Sequence, residues 1–281
     1  MGKKKITIQD IINRKSENKK IAMLTAYDYP LGLTAQEAEL DMVLVGDSLG
    51  MVVLGLESTV EVTVDDMIHH IKAVVRGCKT PLVVGDMPFM SYNTSIRDAI
   101  VNAGRLIKEG GCEAVKLEGG IVFAETVKAV VKAGIPVQGH IGLTPQTAGA
   151  LGGMKLQGRD VKAARAIVDD ALALEQAGVF SIVIEAVPAP LAKIVAEKVS
   201  VPVIGIGAGK DVDGQVLVIH DVIGLFDRFT PKFVKQYANI RPVVIDALKA
   251  YKTDVRNGSF PAEEHTFTMP DKALVELKQG L

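Results

Sequence analysis

The sequence contains eight short runs of apolar, mostly β-branched residues, each followed by a stretch with apolar residues at helical spacings of three and four. The runs are continuously apolar rather than alternating, which favours parallel strands covered on both faces. Eight such units predict a (β/α)8 TIM barrel, with a doubly wound open sheet as the alternative, because periodicity does not show closure. The runs are Ile21–Ala26, Met42–Gly46, Pro81–Gly85, Ala114–Leu117, Pro136–Ile141, Ser181–Ile184, Pro202–Ile206 and Val216–Gly224.

The chain is expected to form one domain over residues 1–281, because no Ser-, Gly- or Pro-rich linker long enough to divide it is present. A helical candidate, Ile8–Arg14, precedes the first strand and is expected to close the bottom of the barrel. After about Tyr251 the alternation of strands and helices stops. Residues 252–281 are therefore predicted to be an irregular C-terminal extension that packs on the barrel or on a neighbouring subunit.

The composition excludes several classes of protein. Hydrophobic residues make up 48% of the chain and the formal net charge is −1, so the global basic footprint of a nucleic-acid-binding protein is absent. The start Met1-Gly2-Lys3-Lys4-Lys5 runs into polar residues without the apolar segment of a secretory signal. The two cysteines, Cys78 and Cys112, form no CxxC motif, as expected in a reducing compartment. We expect a soluble, cytoplasmic protein with no membrane or nucleic-acid partner.

Five of the apolar runs lead directly to a polar residue at the carboxyl end of the predicted strand. In a parallel barrel these ends meet at one mouth, where barrel enzymes carry their active sites. Taken singly, such an Asp usually caps the next helix and such a Glu usually lies on the surface. Together they predict a shared site. The residues are Asp47 with Ser48, Asp86, Glu118, His140 and Glu185.

The four acidic residues of this set predict a bound cation. Uncompensated carboxylates would repel one another strongly in a partly dry barrel mouth. Oxygen ligands favour a hard ion such as Mg²⁺, whereas zinc would be expected to draw on His or Cys at matching spacing. We predict Asp47 and Asp86 as the ligand pair, with Glu118 nearby in a direct or water-mediated role.

Lys116 lies two residues before Glu118, so both side chains are expected on the inner face of the same strand. Lys116 either neutralises Glu118 or meets an anionic substrate, and an ammonium beside a metal suits an α-keto acid. His140 could add a hydrogen bond, although a lone His after a strand is more often structural. The segment Gly205–Gly209 follows the seventh predicted strand and serves either anion contact or close turn packing.

Motifs in fixed order along about nine-tenths of the chain resemble the ketopantoate hydroxymethyltransferase family. These motifs are Met23–Asp28, Val45–Gly50, Gly85–Phe89, Val115–Gly120, Gly139–Gln146, Glu185–Pro188, Gly205–Gly209, Asp213–Val218 and Phe260-Pro261. The chain departs from the family where it has Gly152-Gly153-Met154-Lys155, since a Tyr is common at the third position. This departure bears on loop packing and folate affinity.

The resemblance implies a magnesium-dependent barrel enzyme of pantothenate and coenzyme A biosynthesis. It would transfer a hydroxymethyl group from 5,10-methylenetetrahydrofolate to 3-methyl-2-oxobutanoate through a metal-stabilised enolate, giving 2-dehydropantoate, and it would assemble as a homodecamer. By position, Asp47 and Asp86 match magnesium ligands and Glu118 a further metal-associated carboxylate. Substrate contacts fall on Asp47, Ser48, Asp86, Lys116 and His140, and the proton acceptor falls on Glu185.

Two other functions remain open at the level of sequence. One is a different magnesium-dependent carbon–carbon bond enzyme on a keto-acid barrel, such as a lyase of the phosphoenolpyruvate type. The other is a noncatalytic binding or scaffold protein that keeps the fold. Dependence of product formation on folate distinguishes the first from the transferase, and the absence of binding in a Mg²⁺ and substrate titration would favour the second.

Overall fold

Eight parallel strands close into a barrel in the computed structural model, which describes residues 4–281. Each strand pairs with the next and the last pairs with the first, so the predicted (β/α)8 barrel is confirmed and the open sheet is excluded. Residues 1–3 of the basic start lie outside the described residues. The strands are β1 Ile21–Thr25, β2 Met42–Val45, β3 Leu82–Asp86, β4 Ala114–Glu118, β5 Val137–Gly142, β6 Ser181–Glu185, β7 Val203–Ile206 and β8 Gly214–Leu217.

Seven of the eight predicted strands agree with the structure to within one residue at each end, and the eighth does not. The run Val216–Gly224 was expected to be one strand, but β8 ends at Leu217 and Ile219–Val222 is a short helix. Apolar β-branched residues continue across this boundary. Continuous burial gives a strand and a buried helical turn the same sequence pattern, so periodicity cannot locate the boundary.

Helices cover the outside of most of the barrel. Capping boxes begin two of them, with Thr7 and Asp10 at the first helix and Thr63 and Asp66 at the fourth. Gly178 ends the seventh in the left-handed conformation, which glycine adopts without strain. The helices are α1 Ile8–Ser16, α2 Tyr29–Glu37, α3 Leu49–Val52, α4 Val64–Gly77, α5 Ile96–Arg105, α6 Ala124–Lys132, α7 Val161–Ala177, α8 Ala189–Lys198, α9 Ile219–Val222, α10 Ile240–Asn257 and α11 Asp271–Gln279.

Helix α1 closes the amino-terminal end of the barrel, as expected. Its Ile11 is fully buried and packs in a cluster with inward-facing residues from the beginnings of the strands, among them Ile21, Met42 and Leu82. A second and larger apolar cluster lies between the outer faces of the strands and the helices. The barrel is therefore apolar at this end, which leaves the carboxyl end for polar side chains.

The C-terminal segment differs from the prediction. Residues 252–281 were expected to be irregular, but they include the end of α10 and all of α11. Neither helix has a buried residue, although α10 carries exposed Leu248 and Tyr251 and α11 carries exposed Leu277. The prediction was wrong because loss of strand alternation does not by itself indicate loss of helical structure. Along residues 4–281, no helix is long and apolar enough to cross a membrane.

The outer wall of the barrel is open at one place. Residues 207–213 connect β7 directly to β8, and this connection contains no helix. The outward-facing residues Ala22 of β1 and Gln215 of β8 are exposed as a result. A groove therefore runs along the outside of β7, β8 and β1.

Candidate active site

Alternation along four neighbouring strands brings the predicted polar residues to the carboxyl end of the barrel. Asp86 pairs in register with Lys116 on the adjacent strand, and Glu118 pairs with His140. Leu82 and Val84, which precede Asp86 by four and two positions, and Ala114, which precedes Lys116 by two, lie in the apolar cluster inside the barrel, so a side-chain period of two puts Asp86, Lys116 and Glu118 inside as well. One cavity of about 180 Å³ is lined by all of the predicted site residues, which are Asp47, Ser48, Asp86, Lys116, Glu118, His140 and Glu185.

Lys116 is buried among the carboxylates of this cavity. Its ammonium lies 2.9 Å from Oδ1 of Asp86 and 3.6 Å from Oε1 of Glu118. Burial opposes the charge, but Asp86, Glu118 and Asp47 outweigh it and hold the pKa of Lys116 above its ordinary value. Lys116 therefore stays an ammonium, and its nearest carboxylate is Asp86 rather than Glu118.

His140 connects Glu118 to Glu185. Its Nδ1 lies 3.2 Å from Oε1 of Glu118 and its Nε2 lies 3.2 Å from Oε2 of Glu185. Burial and the Lys116 ammonium lower the pKa of His140, but the two carboxylates outweigh them and raise it to about 9. The imidazole is thus a charged bridge between one deeply buried carboxylate and one at the edge of the cavity.

Asp47 and Asp86 are carboxylates whose surroundings disfavour their ionised form. Burial raises the pKa of Asp47 well above its ordinary value, and Asp86 and Glu118 add to the shift. Burial also raises the pKa of Asp86 in spite of the Lys116 ammonium. The partner of Oδ1 of Asp86 is the Lys116 ammonium, which is shared with Glu118. These two buried side chains therefore fit a cation, which would stabilise both as carboxylates.

Glu118 is held differently from the two aspartates. Burial raises the pKa of its carboxyl, but Lys116 and His140 outweigh burial and lower it overall. Its Oε1 faces these two cations, and its Oε2 accepts the backbone N–H of Gln146 at 3.1 Å. Within the described range 4–281, no three His, Cys, Asp or Glu side chains are grouped so that they could hold a metal ion. A metal here would take two carboxylates and fill its remaining positions with water or substrate.

Two residues of the site, Gln146 and Tyr92, were missed by the sequence interpretation. Gln146 Nε2 donates to Oδ2 of Asp47 at 2.9 Å, and the hydroxyl of Tyr92 donates to Oε1 of Gln146 at 2.7 Å. Both side chains are buried. Gln146 lies on the short 3-10 turn Pro145–Thr147, beyond the end of β5 at Gly142, so it lacks the strand-end position that singled out the other residues. Gln146 thereby holds Asp47 toward the cavity.

Ser48 and Glu185 stand at opposite sides of the cavity. The hydroxyl of Ser48 lies 2.9 Å from that of Tyr27 on the chain that follows β1. Glu185 ends β6, and the next residue, Ala186, has a left-handed backbone with φ of 46°. This conformation is costly for a residue with a Cβ and turns the chain sharply after Glu185. The side chain of Glu185 is 15% exposed and reaches the edge of the cavity.

The glycines of Gly205–Gly209 serve close packing in this structure. Gly207 has a φ of 62°, and an added Cβ would lie 2.7 Å from the ring of Phe233. Gly209 has a φ of 83°, and an added Cβ would lie 2.4 Å from the Cβ of Ala189. Of the two interpretations of this segment, close turn packing is the one with contacts to support it.

Comparison with known proteins decides the family. The sequence profile of the ketopantoate hydroxymethyltransferase family matches residues 5–263. The chain belongs to this family. A 3-methyl-2-oxobutanoate hydroxymethyltransferase of Syntrophomonas wolfei subsp. wolfei is 56% identical to it, over 97% of this chain and 99% of that one. The enzyme of the same name from Moorella thermoacetica is 58% identical, over 94% of this chain and 98% of that one.

Solved structures similar to this member of the ketopantoate hydroxymethyltransferase family support the fold. A 2,3-dimethylmalate lyase, described as a PEP mutase/isocitrate lyase superfamily member, has a TM-score of 0.59 and 13% identity, over 98% of this chain and 99% of that one. A phosphonopyruvate hydrolase in complex with oxalate and Mg²⁺ has a TM-score of 0.60 and 13% identity, over 97% of this chain and 95% of that one. At this identity the likeness shows the barrel architecture.

The raised pKa of Asp47 predicts a pH-dependent stability difference. Above the ordinary aspartate pKa of 3.8, the folded chain holds a proton at Asp47 that the unfolded chain has lost, so this group lowers stability as pH rises. Asp47→Asn removes the group. Without metal, we expect the stability of the variant relative to the wild type to increase as pH rises above the ordinary aspartate pKa of 3.8.

Denaturant unfolding in the presence of a chelator measures this difference. The matched control is Asp169→Asn, at an exposed position on α7, for which we expect no gain. A difference between Asp47→Asn and the wild type that stays constant with pH would contradict the account of the buried carboxylates.

Proposed function

We propose that this chain transfers a hydroxymethyl group from 5,10-methylenetetrahydrofolate to 3-methyl-2-oxobutanoate and forms 2-dehydropantoate, a step of pantothenate biosynthesis. The observation that carries the proposal is the arrangement at the barrel mouth. Two buried carboxylates that fit a cation lie beside an ammonium, and a third carboxylate, Glu185, reaches the same cavity. Family membership and full-length relatives that bear the name of this transferase support the same activity.

Magnesium is the ion we assign to the site, with Asp47 and Asp86 as its protein ligands. Their oxygens suit a hard cation that keeps several positions for water and substrate. Glu118 is assigned an indirect role through water, because both of its oxygens already have protein partners. When bound, Mg²⁺ supplies polarisation of the keto acid's carbonyl oxygen.

Lys116 and Ser48 are the groups we assign to the keto acid, together with Asp47, Asp86 and His140. The Lys116 ammonium is fixed by Asp86 at 2.9 Å, so it presents positive charge to an anionic substrate without further ordering. The Ser48 hydroxyl is positioned by Tyr27 at 2.9 Å and can donate to a substrate oxygen. The cavity of about 180 Å³ between them suits a small branched acid.

Glu185 is the general base that we assign to the reaction. Its carboxylate takes the proton from the branched carbon of the keto acid, and the electron pair released forms an enolate. His140 lies 3.2 Å from Glu185 and stabilises the carboxylate form that accepts this proton. The enolate carbon then bonds to the methylene carbon of the folate as one of its two carbon–nitrogen bonds breaks, and a water oxygen bonds to the same carbon as the second breaks. One folate nitrogen takes up the proton that Glu185 accepted, and the other takes up a proton of the water.

A homodecamer is the assembly we propose, as for the family in general. Support for self-association comes from the C-terminal helices, whose apolar side chains have no cover within residues 4–281 of one chain. The mass of the native particle measures the assembly, and a monomeric mass would contradict it. The apolar residues with at least 38% exposure are Val243, Val244, Leu248, Tyr251 and Val255 on α10 and Leu274, Val275 and Leu277 on α11.

We further propose a cytoplasmic location, supported by two buried, unpaired cysteines.

Replacement of Glu185 tests the assigned reaction. We expect Glu185→Gln to reduce hydroxymethyl transfer by about 10²–10⁴-fold, the usual contribution of a general base. Exchange of the branched-carbon proton of 3-methyl-2-oxobutanoate with deuterated water, measured without folate, should fall by a similar factor. Calorimetric binding of Mg²⁺ and keto acid should persist, because the variant keeps the ligands and the ammonium.

The control for this experiment is Glu197→Gln, whose side chain is 65% exposed on α8 and which should keep full activity. Loss of keto-acid binding in proportion to the loss of rate would show that Glu185 serves binding rather than proton transfer. Wild-type activity that does not require folate, or that persists without any divalent ion, would contradict the proposed function.

A further inference from the structure

Each of the three buried carboxylates at the barrel mouth has one oxygen held by a neutral N–H donor. Oδ2 of Asp86 accepts a hydrogen bond from the backbone N–H of Asp47 at 3.1 Å, and Oδ2 of Asp47 accepts one from Nε2 of Gln146 at 2.9 Å. Oε2 of Glu118 accepts the backbone N–H of Gln146 at 3.1 Å. Gln146 therefore supplies two of these donors, and each carboxylate is left with one oxygen for a charged partner.

Two of the three carboxylates have a cationic side chain at the remaining oxygen. Oδ1 of Asp86 faces the Lys116 ammonium at 2.9 Å, and Oε1 of Glu118 lies 3.2 Å from Nδ1 of His140. Asp47 keeps Oδ1 for a cation that the chain itself does not supply. A carboxylate held in this way presents one oxygen to the cation rather than two.

The side-chain amide of Gln146 also occupies a second oxygen of a kind that binds metal ions. Its Nε2 donates to the carbonyl oxygen of Met87 at 2.9 Å as well as to Oδ2 of Asp47. An amide nitrogen carries two hydrogens, so it serves both acceptors at once. Because both oxygens lie 2.9 Å from one nitrogen, loss of the amide would free a carboxylate oxygen and a carbonyl oxygen close together.

Tyr92 holds this amide from the other side. Its hydroxyl lies 2.7 Å from Oε1 of Gln146 and 3.1 Å from the carbonyl oxygen of Glu118, so its proton is directed at two acceptors. Burial and the neighbouring carboxylates raise the pKa of Tyr92, which keeps the hydroxyl a donor. The ring packs edge-on against Phe123, with ring centroids 5.2 Å apart. With Oε1 held in this way, Nε2 stays turned toward Asp47.

These contacts lie in the interior of a single chain. The exposed fractions are 3% for Gln146 and 1% for Tyr92. Gln146 sits on the turn Pro145–Thr147, which is closed by a hydrogen bond from the backbone N–H of Thr147 to the carbonyl of Thr144 at 3.0 Å. Association of chains would therefore leave the hydrogen bonds of this amide as they are.

Mg²⁺ and Ca²⁺ differ in the oxygens that they require. Mg²⁺ needs near-ideal octahedral geometry, keeps several waters and binds few carboxylates, whereas Ca²⁺ takes more oxygens, including bidentate carboxylates and backbone carbonyls. A site that offers single carboxylate oxygens and withholds a carbonyl oxygen therefore suits Mg²⁺.

We propose that the Gln146 amide makes the site selective for Mg²⁺ over Ca²⁺, because it limits Asp47 to one ligand oxygen and withholds the carbonyl oxygen of Met87. This inference rests on the proposed function, which assigns Mg²⁺ to the site. Tyr92 contributes by holding the amide in its orientation. The amide is neutral, so it orders the carboxylate without taking the place of the cation. Gln146 and Tyr92 are thus positioning residues that act through Asp47.

Calorimetric titrations of Mg²⁺ and, separately, of Ca²⁺ into the chelator-treated protein test this selectivity. We expect the wild type to bind Mg²⁺ more tightly. Gln146→Met keeps the length of the side chain and the backbone N–H to Glu118, and it should shift the ratio of the two affinities toward Ca²⁺ by about tenfold or more, the usual effect of removing a group that orients a metal ligand. Tyr92→Phe removes only a hydroxyl, so it should give a smaller shift in the same direction.

The matched control is Gln176→Met, at an exposed position on α7, which should keep the wild-type ratio. The ratio separates positioning from a merely structural role, because a loss of folded protein lowers the binding of both ions in equal proportion. If Gln146→Met does not fold, the ratio in Tyr92→Phe decides in the same way.

Two results would overturn this selectivity assignment. One is a wild type that binds Ca²⁺ as tightly as Mg²⁺. The other is a Gln146→Met variant whose affinities for the two ions keep the wild-type ratio. Failure of the proposed function gives a different result, because a wild type that binds Mg²⁺ selectively would then transfer no hydroxymethyl group from any folate to the keto acid.

Discussion

The site depends on the cost of holding several charged groups inside a barrel. Asp47, Asp86 and Glu118 are buried together with Lys116 and His140, so every charge must be offset by a neighbour. Lys116 and His140 offset Glu118 and part of Asp86. The side chain of Asp47 accepts a hydrogen bond from the neutral amide of Gln146. The remaining uncompensated negative charge lies on the two aspartates, and a divalent cation would compensate it.

The rest of the fold serves to place these charges. Parallel pairing puts Asp86 beside Lys116 and Glu118 beside His140, and a period of two keeps them all on the inner face. Ile11 of α1 seals the opposite end with apolar contacts, and the buried Asp, Glu, Lys and His groups of the site lie at the other end. Glu185 borders both the inner cavity and the groove outside β7, β8 and β1.

Much of this arrangement follows from the sequence, and the remainder has identifiable physical reasons. Eight apolar runs predicted the barrel, and the residues that end five of them predicted the mouth. Gln146 was missed because it lies in a loop, where no periodicity indicates which side chain turns inward. The end of β8 was missed because the continuous apolar run extends past it. Helix α11 was missed because none of its residues is buried against the rest of the chain. The pairing of Lys116 with Asp86 depends on register across strands, which one sequence does not specify.

Calorimetric titration of Mg²⁺ into the chelator-treated protein tests the central claim most directly. The account predicts about one ion per chain in the wild type, because Asp47 and Asp86 form one shared site. It also predicts a loss of affinity of at least about tenfold in Asp86→Asn, with no change in Asp169→Asn. Wild-type affinity in Asp86→Asn would contradict the claim that the buried carboxylates at the barrel mouth are built around a cation.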